Sequence, residues 1–290
     1  MPVLVLIAIA GLVAQLIDGS LGMAYGVTST SLLLTFGVSP AAASASVHIA
    51  ELATTAASAT AHARFRNVDW RVVVALAVPG AVGAFAGAVV LSSLSTEVAA
   101  PVMSVILLGV GIYVLLRFAR GPREAERSSK VLPARFLSPL GLVGGFLDAS
   151  GGGGWGPVST PTLLASGRLE PRKVVGSVDT AEFLVALGAS AGFLIALDSS
   201  DLVGSWIVAL VVGGVLAAPF AAWLVQKLPP RVLGVAVGGM VTITNVRALL
   251  SVAGIQDTAL SVAFALGAAA WLSAMVAWWI RDRDATPQPG

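Results

Sequence analysis

The chain contains no cysteine, which excludes disulfides, thiolate nucleophiles and cysteine-ligated metals. It has only two histidines, too few for a histidine-rich metal site, and no motif calls for a cofactor. Charge is scarce as well. Only 11% of its 290 residues are charged, where soluble domains carry about a quarter. The small basic excess, a net charge of +2, is no argument for nucleic acid. No polar stretch is long enough for a soluble domain, and the first residues, Met-Pro-Val-Leu-Val, lack the basic segment of a cleaved signal peptide. What the chain has is 57% hydrophobic residues, with several apolar runs exceeding 20 residues, and 32 glycines. That composition describes an all-α polytopic membrane protein.

The most informative stretch is 148–157, Asp-Ala-Ser-Gly-Gly-Gly-Gly-Trp-Gly-Pro, set between short apolar runs at 136–147 and 158–165. At ~1.5 Å per residue each run covers roughly 12–18 Å, against ~30 Å of hydrocarbon. Irregular backbone at membrane depth is tolerated only where protein or a water-filled cavity surrounds it. The stretch therefore reads as the tip of a broken, re-entrant helical hairpin. It has a partner 130 positions earlier at 18–26, Asp-Gly-Ser-Leu-Gly-Met-Ala-Tyr-Gly.

The two tips belong to an internal repeat that covers nearly the whole chain. Gly11, Asp18, Gly22, Tyr25, Gly26, Ser29, Thr30 and Gly37 match Gly141, Asp148, Gly152, Trp155, Gly156, Ser159, Thr160 and Gly167. One residue is then inserted, so that Pro40 matches Pro171, His48 matches Asp179 and Glu51 matches Glu182. Farther on the offset is 134, pairing Gly80 with Gly214 and Tyr113 with Arg247. Each copy holds a hairpin and three longer runs: 41–63, 71–91 and 98–116 in the first, 174–197, 202–225 and 232–252 in the second. The expected division is 1–117 and 136–253 for the repeats, 118–135 for a cytoplasmic linker, and 254–281 for an unpaired C-terminal transmembrane helix.

Orientation follows from the basic residues. Sixteen of the seventeen Lys and Arg fall at Arg64, Arg66 and Arg71, in the linker region 117–135, at Arg168, Arg172 and Lys173, at Lys227 and Arg231, and at Arg281 and Arg283. The opposing loops, 37–40, 92–97, 197–201 and 254–257, carry none. By the positive-inside rule the first set is cytoplasmic, which turns the two copies upside down relative to each other. The expected fold is an inverted-topology repeat of a re-entrant hairpin plus three spans, with the N-terminus outside and the C-terminus cytoplasmic. The alternative makes every hairpin arm a short span, for eleven crossings. Gly80, Gly83, Gly87, Gly213 and Ala217 suit close helix packing, Pro79 and Pro219 suit kinks, and Trp70, Trp278 and Trp279 suit interfacial anchors.

Inverted repeats with discontinuous helices meeting near the midplane are the architecture of secondary transporters. Helix starts at such tips aim free N–H groups and a positive dipole end into the membrane, suiting an oxyanion. The candidate substrate-binding residues are Gly22, Tyr25, Gly26, Ser29 and Thr30, with Gly152, Gly153, Trp155, Gly156, Ser159 and Thr160 opposite. Pro157 fits the first turn of the second helix start. The competing view is that the glycines only permit a tight turn and close packing. Arg247, the one basic residue inside an expected span, joins the set as an anion ligand or a neutraliser of the acids, unless it snorkels outward. The candidate proton-coupling residues are Asp18, His48, Glu51, Asp148, Asp179 and Glu182, because intramembrane ionisable groups are functional by default. His48 with Glu51, and Asp179 with Glu182, are i, i+3 pairs on one helix face. Glu51 and Glu182 are expected ~14–17 Å deep. The bland alternatives are that Asp18 and Asp148 cap loop amides and that the glutamates bond across helices.

These tips, each followed by Pro40 or Pro171 and a helix rich in small residues, resemble the TauE/SafE family of sulfite and organosulfonate exporters over essentially the whole chain. The resemblance implies a permease of the bacterial inner membrane that moves sulfite, sulfoacetate or a related organic anion, usually outward; it is the intramembrane acids that make protons the candidate coupling ions. A cation or proton pathway through the carboxylates is the alternative. A membrane-embedded enzyme is disfavoured for want of a nucleophile–base pair. The partners expected are a small anion and the bilayer, not nucleic acid, and the unpaired last helix offers a surface for a homo-oligomer.

Overall fold

The computed structural model describes residues 2–21, 23, 25–120, 132–166, 168–198, 202–224, 230–255 and, within 262–274, all but 265, 268 and 272. Gly22, Gly167, Lys227, Trp278, Trp279, Arg281, Arg283, most of the expected linker and much of the last apolar run lie outside the described residues. The described residues form helices and no strands. Those with defined bounds are α1 (Pro2–Leu21), α2 (Tyr25–Thr35), α3 (Pro40–Arg64), α4 (Trp70–Ser93), α5 (Thr96–Ala119), α6 (Ala134–Gly151), α7 (Trp155–Ala165), α8 (Pro171–Ala196), α9 (Gly204–Leu224) and α10 (Pro230–Val252).

Local chemistry sets several boundaries. Ser39 caps α3 by accepting the Ala42 N–H at 3.4 Å, and Pro40 takes the first helical position, where no N–H is needed. Asp69 caps α4 by accepting the N–H groups of Arg71 and Val72 at 3.1 and 3.4 Å. α6 stops because Gly152 adopts a left-handed φ of 72° and Gly153 follows at 139°, a turn open to glycine and costly for other residues.

Three described helices are long and apolar enough to cross a bilayer: Trp70–Ser93, Thr96–Ala119 and Arg172–Ala196. α3, with 25 residues, has the length but not the apolarity. The reason is a buried polar stripe, His48, Glu51, Thr55, Ser58 and His62, recurring every three to four residues along one face. The first arm of each hairpin is longer than its apolar run suggests. α6 has 18 residues and α1 has 20, about 27 and 30 Å at 1.5 Å per residue, while α2 and α7 have 11 each, about 16 Å. The helix continues through Ala149 and Ser150, small residues that the sequence reading assigned to the turn.

The packing pairs each half with the other. α1 lies on α9 and α6 on α4; α3 and α8 pack together, as do α5 and α10. Contacts recur when repeat-matched residues are exchanged. A Cβ on Gly11 would stand 2.8 Å from the Leu210 carbonyl oxygen, and one on Gly141 would strike the Leu76 carbonyl. Gly80 packs on Trp155 and Val185, and Gly214 on their counterparts Tyr25 and Thr54. α3 and α8 run antiparallel, with the His48 ring 6.0 Å from that of Phe193 and His62 Nε2 3.9 Å from Asp179 Oδ2.

Candidate functional site

The two tips touch. A Cβ on Gly26 would lie 3.0 Å from the Gly153 Cα and 3.2 Å from Glu51 Oε1. One on Gly153 would collide with the Val27 backbone, and one on Gly152 with Thr30. Tyr25 and Trp155, in matching slots, are the largest fully buried side chains among the described residues. Tyr25 donates its hydroxyl to the Leu210 carbonyl at 3.4 Å, and Trp155 its indole N–H to the Val178 carbonyl at 3.0 Å. Both aromatics are thereby fastened to neighbouring helices.

The helix starts are capped from within. Asp148 Oδ1 accepts the N–H groups of Gly154 and Trp155 at 2.8 and 3.0 Å, and Asp18 Oδ1 accepts that of Tyr25 at 3.3 Å. Pro157 has no N–H, and Val158 already donates to the Gly154 carbonyl at 3.0 Å. The amides following Gly156 are thus unavailable, contrary to a simple helix-start site. The hydroxyls remain: Ser29, Thr30 and Ser159 are fully buried and their side-chain oxygens have no hydrogen-bond partner. Buried hydroxyls are seldom left in that state. Thr30 faces the opposing tip at Gly152, while Ser159 lies against Gly144 of its own half; Thr160 is buried too. Arg247 is half-buried on α10, two positions from Asn245, which donates to Ser31 Oγ of α2 at 3.0 Å. Asn245 is a tip-side polar contact that sequence reasoning overlooked, because a lone amide in an apolar run has no periodic partner.

The ionisable residues gather into two triads, each made by both halves. His48 and Glu51 of α3 meet Asp148 of α6, and Asp179 and Glu182 of α8 meet Asp18 of α1; within each triad the ligand atoms lie within 4.8 Å of one another. All six are buried. Repeat matching exchanges the triads member for member. In the first, His48 Nε2 is 3.1 Å from Asp148 Oδ2 and 3.9 Å from Glu51 Oε2, and Nδ1 is 2.7 Å from the Ser44 carbonyl. An imidazolium there faces two carboxylates and balances the charge of one, and Asp148 joins the triad to the tip through its other oxygen. The second triad has aspartate where the first has histidine. His62, which the sequence reading passed over, stands beside it on α3. Its position eleven residues after Glu51, three turns along one face, was the available signal.

The model of the family described as sulfite exporter TauE/SafE matches residues 7–248. A probable membrane transporter protein, YtnM, of Bacillus subtilis (strain 168) is 53% identical over 276 residues, covering 94% of this chain and 91% of that protein. No solved structure matches. A chain with membrane-length helices, matched over this span by that model and that relative, belongs to the sulfite exporter TauE/SafE family and is a membrane-embedded transporter, not an enzyme.

Proposed function

We propose that this transporter is a secondary carrier that exports a small sulfur-containing or organic anion, such as sulfite, sulfoacetate or another organosulfonate, across the bacterial inner membrane with protons. The reading takes the halves as an inverted repeat, supported by the antiparallel packing of the matched helices α3 and α8 and by contacts that recur on exchange. Residues 1–117 and 136–253 are then the repeats, with the linker 118–135 and the C-terminus cytoplasmic.

The observation that carries the anion site is the set of unpartnered buried hydroxyls, Ser29, Thr30 and Ser159, just beyond tips that touch. An oxyanion supplies the acceptors these hydroxyls lack. Tyr25 and Trp155 wall the site, Gly26, Gly152, Gly153 and Gly156 allow close approach, and Thr160 and Arg247 complete the set.

Carboxylates beside an anion repel it, so the anion enters with protons. A protonated carboxyl becomes a hydrogen-bond donor. Neutralising Asp148 or Asp18 also frees the tip amides that each carboxylate caps, so uptake of a proton opens the helix start to the substrate. His48, Glu51, Asp179 and Glu182 pass or balance that charge as the halves rock.

In proteoliposomes, flux of sulfite or a sulfonate rises when the substrate side is acidified, and Glu51→Gln abolishes that dependence. Wild-type dependence retained in Glu51→Gln removes the proton role, and no flux of any such anion removes the substrate class. The five buried carboxyls favour a second reading, a cation or proton pathway. Proteoliposome flux of an anion, with none of a metal cation, would decide against it.

A further inference from the structure

The two triads are the same construction with one substitution, and that substitution leaves a specific deficit. In the first, the His48 side chain stands among carboxylates and brings its own positive charge, with Nε2 on Asp148 and Nδ1 on a backbone carbonyl. In the second the matching position is Asp179, so three carboxyls converge with no cationic member. All three are buried, and the one side chain placed to bond Asp179 is the neutral hydroxyl of Ser58 on α3, which brings no charge. Carboxylates removed from water without a compensating charge are strongly disfavoured.

A second observation is independent of the acids. His62 is 5% exposed, its Nε2 points at Asp179 Oδ2 from 3.9 Å, and neither ring nitrogen has a partner. That separation is too long for a hydrogen bond. Gln15, one turn before Asp18 on α1, is also buried with both amide atoms unpaired. The environment therefore offers oxygen and nitrogen lone pairs that nothing in the fold uses.

We infer that Asp18, Asp179 and Glu182 form a binding site for a hard cation, Na⁺ or a divalent ion such as Ca²⁺ or Mn²⁺, in the position that the His48 imidazolium fills in the other half. The geometry is suitable. Oxygens 2.3–2.6 Å from a common ion lie up to about 5 Å apart, which accommodates ligand oxygens within 4.8 Å of one another. An all-carboxylate set selects hard cations over Cu⁺ or Zn²⁺. His62, held back from Asp179, is placed to bond a water on the ion. Because Asp18 also caps α2 through Tyr25, occupancy of this site bears on the tip as His48 does through Asp148. The site does not depend on which anion the protein carries.

The test is binding on the purified full chain, with no flux involved. Thermal unfolding is followed in NaCl, CaCl₂ and MnCl₂ against choline chloride at matched ionic strength and fixed pH, and Mn²⁺ is titrated by electron paramagnetic resonance. At least one cation raises Tm saturably over choline, as a ligand of the folded state must. Asp179→His, which rebuilds the arrangement of the other half and so has a folded precedent in this chain, loses that response. Asp179→Asn weakens the apparent affinity at least tenfold. No cation outperforming choline, or an unchanged response in Asp179→His, overturns the site. Comparison of the Na⁺ and divalent arms identifies the ion.

Discussion

α3 and α8 occupy matching places in the two halves, pack on each other and run antiparallel, yet they are built from different chemistry. Along α3 the buried stripe is His48, Glu51, Thr55, Ser58 and His62; the matching residues of α8 are Asp179, Glu182, Ala186, Ala189 and Phe193. Only the glutamate is common to both. Backbone contacts behave oppositely: the pairs Gly11 with Leu210 and Gly141 with Leu76 are kept across the repeat. Close helix packing thus holds the halves to one geometry, while side chains on the shared face have diverged. The first half carries a built-in cation and a polar stripe, and the second a bare acidic centre.

The largest expected difference separates the tip aspartates. Asp148→Ala leaves the Gly154 and Trp155 N–H groups and His48 without their acceptor, at a cost of roughly 3–5 kcal/mol and loss of transport. Asp18→Ala strands the Tyr25 N–H and costs about 1–3 kcal/mol. Denaturant unfolding measures both, and equal losses would break the asymmetry.

Next come the tip glycines. Gly153→Ala forces a left-handed φ and drives a Cβ into the Val27 backbone, so stability falls by more than about 3 kcal/mol. Gly26→Ala meets its neighbours at 3.0 and 3.2 Å, and costs about 1–2 kcal/mol. The ratio of the two Tm shifts sharpens how one-sided the contact is.

The smallest effect concerns the buried aromatics. Trp155→Phe loses a 3.0 Å bond and costs about 1 kcal/mol plus a packing loss, whereas Tyr25→Phe gives up a 3.4 Å bond worth a few tenths of that. Circular dichroism melts compare them without relying on the tryptophan itself.

Much of this arrangement was legible in the chain because the repeat is written in residues that geometry restricts. Glycines at 26, 152 and 153 and the aspartates at 18 and 148 mark a turn whatever surrounds it. The i, i+3 acids pointed to one face of α3 and of α8. The assembly of each triad from both halves was not legible, since cross-half contacts depend on tertiary packing that spacing along one helix does not encode. The length of α6 was misjudged because its last residues, Ala-Ser-Gly, are weakly apolar yet buried by α4. Capping of the tip amides by Asp18 and Asp148 was one of two readings open to the sequence, and the closed turn, with residue 148 beside 154 and 155, shows it.

The central claim is that the two tips meet within the membrane and must part for transport. The absence of native cysteine makes it directly testable. A Cβ on Gly152 would lie 3.0 Å from that of Thr30, close enough for a disulfide after a slight opening. The measurement is anion flux in proteoliposomes of the Thr30→Cys/Gly152→Cys pair under oxidant and then reductant, beside each single variant. The account predicts that the pair cross-links, that the flux of the reduced pair stops under oxidant and returns with reductant, while oxidant leaves each single variant at its own reduced level. Failure to cross-link, or undiminished flux through the cross-linked protein, would contradict it.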